Sequence, residues 1–170
     1  PSNLGACHDF FIMPHADPDW TDHGNLYTFN RTRKGHIWTG CHATSMVEGV
    51  YNPSIPSQQM NFLTKTGLQC YSGGKCGNIT ETHNGSPTTP YSYDPNFSAH
   101  PIMQFMGDMT PAQDNGSEKW YIPVSTGGWN DNVARAIKTS DGSTGKEGIK
   151  LAFGYAYNNP LNGIVMYQGG

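Results

Sequence analysis

KGHIWTGCHATSMVEG, residues 34–49, runs from a short apolar segment into an amphipathic one. His36 to Trp38 read as a strand that Thr39-Gly40 closes. The run from His42 to Asn52 places Met46, Val47 and Val50 on one helical face, and Pro53 stops it. Cys41 and His42 sit between the two. A nucleophile at a strand-to-helix turn stands clear of the sheet's carboxyl edge, and unpaired N–H groups at the helix start favour a thiolate. The pinched backbone needs small neighbours, and Gly40 and Ala43 supply them. The competing reading is a small buried or bridged cysteine, since free cysteines are often buried and inert.

Upstream, DFFIMP (9–14) reads as a buried strand closed by Pro14. LYTFNRTRKG (26–35) spaces Leu26 and Phe29 three apart and reads as a short helix with Gly35 at its C-cap. Downstream, SQQMNFLTKTG (57–67) reads as a helix with Ser57 as N-cap and Gly67 beyond its end. Residues 71–100 are rich in Gly, Ser, Thr, Asn and Pro and read as a surface excursion. Strand-like runs follow at 102–106, 119–124, 132–139, 149–157 and 163–168. Strand, helix, strand, helix, and then strands, predicts an α/β domain over 1–170: three layers, a mainly parallel sheet and a strand-rich second half.

Composition narrows the setting. The chain has 170 residues, enough for one domain with a real core. Charged residues are 14%, against ~25% in an average soluble protein. Gly, Asn, Ser, Thr and Tyr make the chain polar without charge, as in secreted proteins. The net charge is −3 and no basic patch stands out, which argues against a nucleic-acid partner. No apolar run approaches the ~18 residues of a membrane span. No secretory leader is read, and the start at Pro1 suggests a processed fragment of a larger secreted protein. Sequons occur at Asn30, Asn78, Asn84, Asn96 and Asn115; Pro87 weakens the one at Asn84. Glycans are expected at Asn78, Asn96 and Asn115, and more weakly at Asn30, which lies on a helix candidate. CYSGGKC, Cys70 to Cys76, is a glycine-rich loop closed by two cysteines. Its spacing fits no common zinc motif, so a Cys70–Cys76 disulfide is favoured, worth roughly 2–2.5 kcal/mol by loop entropy. That implies an oxidising compartment.

The order Asp9, then IMPHA with Pro14-His15-Ala16, a helix, and IWTGCHAT resembles the class I glutamine amidotransferase-like superfamily. There a strand ending in Asp…Pro-Gly-Gly, a loop, a helix and a strand ending in Gly-x-Cys-x-Gly follow in that order. The Cys41-His42 adjacency is similar to the intracellular-protease branch. The resemblance covers about 45 residues, a quarter of the chain. It implies an amidotransferase-like, flavodoxin-like fold lacking its first β-α unit. It also implies Cys41 as nucleophile, His42 as its base or orienter, and the His15-Ala16 backbone at an oxyanion site. Pro-His-Ala stands in place of Pro-Gly-Gly, and Thr44 stands where a glycine would help. More loosely, CHDFFIMPHADPDW and GIVMYQGG look like phrases of large secreted proteins of uncharacterised function.

Other constellations read blandly. HADPDWTDH, with His8 nearby, has ligand types enough for a metal, but lacks EF-hand spacing, and aspartates in Pro-rich turns cap backbone N–H groups. No metal or cofactor is called for. Trp20, Trp38, Trp120 and Trp129 could line a sugar-binding surface, though aromatics are more often core. In a parallel sheet Cys7 and Cys41 would lie ~15–20 Å apart, too far for a bridge, which needs Cα atoms within about 7 Å. The sequence thus supports two functions: a secreted cysteine-dependent amidase or hydrolase, working or vestigial, and a non-catalytic structural or adhesive domain that self-associates or binds glycans.

Overall fold

A computed structural model describes residues 9–13, 24–40, 43–65, 79–83, 92–103, 118–123, 129–141 and 146–169. The protein is mixed α/β, rich in strands and poor in helix. Strand β1 (Phe10–Met13) is followed by helix α1 (Gly24–Tyr27), which widens into a π-turn over Thr28–Thr32. Then come β2 (His36–Thr39), α2 (Ala43–Glu48) and a hairpin, β3 (Tyr51–Asn52) with β4 (Ile55–Gln59). The remaining strands are β5 (Ile79–His83), β6 (Ser92–Tyr93), β7 (Glu118–Pro123), β8 (Ala134–Asp141), β9 (Lys146–Tyr155) and β10 (Ile164–Gln168). The expected order strand, helix, strand, helix is present at the expected places.

The sheet is only partly parallel. β1, β2 and β10 run parallel, with β2 in the middle. β9 joins β10 antiparallel, and β5, β6, β7 and β8 extend the sheet antiparallel through β9. Phe153 pairs with both Ala134 and Met166, so β8 and β10 occupy opposite edges of β9. The mainly parallel sheet expected from the sequence is therefore the arrangement of only three of the eight strands described in this sheet. The pairs β5–β7, β6–β8, β7–β9, β8–β9 and β9–β10 are all antiparallel, and antiparallel neighbours do not require a crossover helix between them.

Both described helices pack on one face. Leu26, Phe29, Ala43 and Val47 meet Met13, Ile37, Val165 and Tyr167 in the larger core. The period-two alternation of the strands puts Phe10, Ile12, His36, Trp38, Ile164 and Met166 on the opposite face. Over β8 and β9 that face is covered by residues 94–103, whose Phe97 and Met103 pack on Ile137, Leu151 and Phe153. Asp94 caps this segment by accepting from Asn96 N, and pairs with Lys138 at 2.8 Å. The Lys138 ammonium holds its carboxyl below the usual aspartate range.

Two local expectations change. The helix expected over 57–67 is not formed by its described part: Ser57 to Gln59 belong to β4, and 60–65 form a loop. Met60, Phe62 and Leu63 are buried in the core, so their spacing imitates an amphipathic helix. Their backbone is satisfied from elsewhere: Asn61 N donates to Glu48 O at 3.2 Å, and Leu63 N and Thr64 N donate to the Glu48 carboxylate. The strand expected over 102–106 begins instead in a 3₁₀ turn, Pro101–Met103. The left-handed residue after the first helix is Lys34, φ 60°, rather than Gly35. Gly35 has a different task. A Cβ there would strike the Phe29 ring, and one on Gly163 would strike the Gly35 carbonyl, so the two glycines let β10 pass close to the helix exit.

Candidate functional site

The Cys41-His42 dipeptide, His15, Cys70, Cys76, Asn78 and Asn115 lie outside the described residues, and so does Cys7. Their flanks are described. β1 and β2 are parallel neighbours with Met13 opposite Thr39, and Gly40 N donates to Met13 O at 3.2 Å. The chain therefore leaves both strands at the same edge of the sheet. Helix α2 begins at Ala43, three residues after Gly40. Thr39 and Thr44 bracket the dipeptide. Both are fully buried, and neither Oγ1 has a hydrogen-bond partner among the described residues.

Two sequons are described. Asn30 is fully buried in the π-turn, and its Nδ2, the atom a glycan would occupy, donates to Gly35 O at 3.2 Å and Gly163 O at 3.0 Å. The fold leaves no room for a sugar there; the amide instead clamps the two glycine carbonyls. Asn96 is exposed in the turn Pro95–Phe97.

Glu48 was not singled out by sequence reasoning. It closes α2 and is fully buried. Burial pushes its carboxyl up to about 7, against the lowering effect of its hydrogen bonds from Leu63 N, Thr64 N and Thr64 Oγ1, the last at 2.8 Å. Its role is to hold loop 61–64. Helical spacing sets Glu48 away from the face of Met46, Val47 and Val50, so the local pattern carries no sign of its burial.

The loop that Glu48 holds forms one wall of a cleft of about 350 Å³ lined by Gln58, Gln59, Asn61, Asn130, Tyr157 and Asn158, among others. Its walls are tied together. Asn130 N donates to Leu63 O at 2.7 Å, Tyr157 N to Met60 O at 2.5 Å, and Asn130 Nδ2 to Asn61 O. Tyr157 OH donates to Val50 O at 3.1 Å. Burial raises the Tyr157 phenol above its ordinary range, so it stays neutral. On the other side of the sheet an apolar groove of about 340 Å³ runs between Phe10, His36, Trp38, His100, Phe153 and Met166. There Phe10 is 59% exposed and Ile12, on the same strand face, 54%. His36 is fixed by accepting from Ile164 N at 3.0 Å through Nδ1.

Among the described residues no three His, Cys, Asp or Glu side chains converge as metal ligands would. No described helix is long and apolar enough to cross a membrane. No protein family, curated protein or solved structure matches the chain.

Proposed function

We propose that the chain is an extracellular α/β domain with a cysteine-dependent site that cleaves amide or ester bonds. Cys41 is the nucleophile and His42 its base, with the backbone at His15-Ala16 on the oxyanion side. The observation that carries this reading is the pair of buried hydroxyls, Thr39 Oγ1 and Thr44 Oγ1, on either side of the dipeptide, which have no partner among the described residues. A buried hydroxyl without a partner costs ~1–3 kcal/mol, and two so close in sequence call for a reason. A site that must bond a thiolate, an oxyanion or an attacking water supplies one. The shared edge at which β1 and β2 end adds support, because it brings the chain ahead of His15 and the chain ahead of Cys41 side by side.

The chemistry is that of a thiol hydrolase. His42 takes the Cys41 proton, and the thiolate adds to the carbonyl carbon. The proton passes to the departing amine or alcohol. Water then cleaves the thioester and restores the thiol. The same reading takes the fold as three-layer and amidotransferase-like. Its support is the parallel trio β1, β2 and β10 with two helices on one face; the antiparallel strands are then an elaboration. Extracellular placement rests on the low charge, the Cys70–Cys76 loop read as a disulfide, and the sequons at Asn78, Asn96 and Asn115.

A non-catalytic, self-associating domain is the second reading, favoured by the apolar face that exposes Phe10 and Ile12. Thiol labelling separates the two. Under the catalytic reading iodoacetamide modifies Cys41 of the folded protein at pH 6.5, ahead of Cys7, and Cys41→Ser abolishes hydrolysis of amide and ester test substrates while the fold persists. A Cys41 that labels only after denaturation ends the catalytic reading and leaves the second.

A further inference from the structure

The geometry points to the cleft between residues 57–61, at the end of β4, and residues 130 and 157–158 as a binding site for a neutral, hydroxyl-rich ligand, a saccharide unit. This does not rest on the thiol reading; the cleft is built from residues that reading does not use.

Three features carry it. The first is construction. The cleft draws on separate segments that backbone and amide hydrogen bonds lock together before any ligand arrives, Met60 to Tyr157 and Leu63 to Asn130 among them. Its volume of about 350 Å³ falls within the ~300–1,000 Å³ of small-molecule sites. The second is backbone conformation. Four non-glycine residues have positive φ among the described residues, and three of them line this cleft: Asn61 at 41°, Tyr157 at 57° and Asn158 at 51°. Asparagine tolerates that region, but for a bulky residue such as Tyr157 it is an outlier. Such conformations cost of order 1–3 kcal/mol each and cluster at ligand sites. Glycine would relieve the strain at each position, at the loss of a side chain that the cleft presents.

The third feature is chemistry. Gln58, Gln59, Asn130 and Asn158 offer amides, each with two donors and an acceptor. Some of that capacity is already directed: Gln58 Oε1 accepts from Asn52 at 2.8 Å, and Asn158 Oδ1 from Asn132 at 2.7 Å. Those bonds orient the two amides so that their NH₂ groups remain as donors. The charged side chain at the rim, Lys65, is neutralised by Asp131 at 2.7 Å. A lining of amides without net charge matches sugar hydroxyls, which donate and accept at once. It suits neither an anion, which would want an unpaired cation, nor an apolar ligand.

The test is a titration of the full chain, ¹⁵N-labelled, with methyl glycosides of glucose, galactose, mannose and N-acetylglucosamine, and with glucuronate as the anionic control. The inference expects saturable shifts for at least one neutral glycoside. They should fall on the side-chain amides of Gln58, Gln59, Asn130 or Asn158. Asn158→Gly, which suits the backbone there, should weaken binding roughly three- to tenfold, the size of one neutral hydrogen bond. Gln59→Ala provides a second variant, and the amide spectrum of each reports whether it is folded. Absence of saturable shifts with every neutral glycoside overturns the inference. So do shifts that map elsewhere, unchanged affinity in both folded variants, or tighter binding of glucuronate.

Discussion

Replacing Glu48 with Gln tests how this fold anchors the buried loop 60–65. The carboxyl is fully buried, and burial lifts its pKa from 4.5 to about 7. In the unfolded chain the proton leaves near 4.5. Between those values the folded protein binds more protons than the unfolded one, so stability falls as pH rises through the window. The contribution is fully present below 4.5 and lost by the time pH passes about 7. At 1.36 kcal/mol per pH unit the loss amounts to about 3 kcal/mol. Glutamine keeps the shape and abolishes the titration. Its Oε1 can accept from Leu63 N and Thr64 N, and its Nε2 can donate to Thr64 Oγ1 with that bond reversed. Urea unfolding followed by tryptophan fluorescence, on both proteins from pH 4.5 to 8, isolates the effect, because every other group cancels in the difference. The variant should gain about 3 kcal/mol on the wild type across that range. Parallel stability curves would show that the carboxyl is solvated when ionised, and would refute the burial argument.

Other perturbations follow from the same packing. Gly163→Ala places a Cβ against the Gly35 carbonyl, whose position the Asn30 amide fixes. Overpacking against backbone should cost roughly 1–3 kcal/mol in the same unfolding assay, and an unchanged midpoint would contradict the close approach of β10 to the helix exit. Lys34→Gly should stabilise. A left-handed residue costs roughly 1–2 kcal/mol, and the freedom glycine adds to the unfolded chain returns ~0.5–1, leaving a net gain of about 0.5–1 kcal/mol. A loss of stability there would mean that the Lys34 bond to Arg31 O, 2.8 Å, outweighs the backbone strain.

Much of the scaffold is written locally. The first two strands, the helices after each, and β7 to β10 are legible because apolar periodicity and bounding Gly and Pro are short-range signals. A helix over 57–67 was also predicted, and there local spacing misled. Met60 and Leu63 lie at helical separation, but the backbone groups around them bond to Glu48 and to Asn130 rather than to one another. Asn30 shows the same limit. A sequon is a string of three residues, whereas access to its amide depends on Gly35 and Gly163, the latter 133 residues away.

What the sequence determined by itself is the alternation of strand and helix around Cys41 and the division into a helical front and a strand-rich back. Only the tertiary structure decided that three strands run parallel and the rest antiparallel. Only the fold made Glu48 the anchor of a loop and gathered residues 57–61, 130 and 157–158 around one cleft. The physical reason is range. Propensity and periodicity act within a turn or a strand, while strand direction, the burial of a charge and the assembly of a cleft are fixed by which distant segments exclude water together.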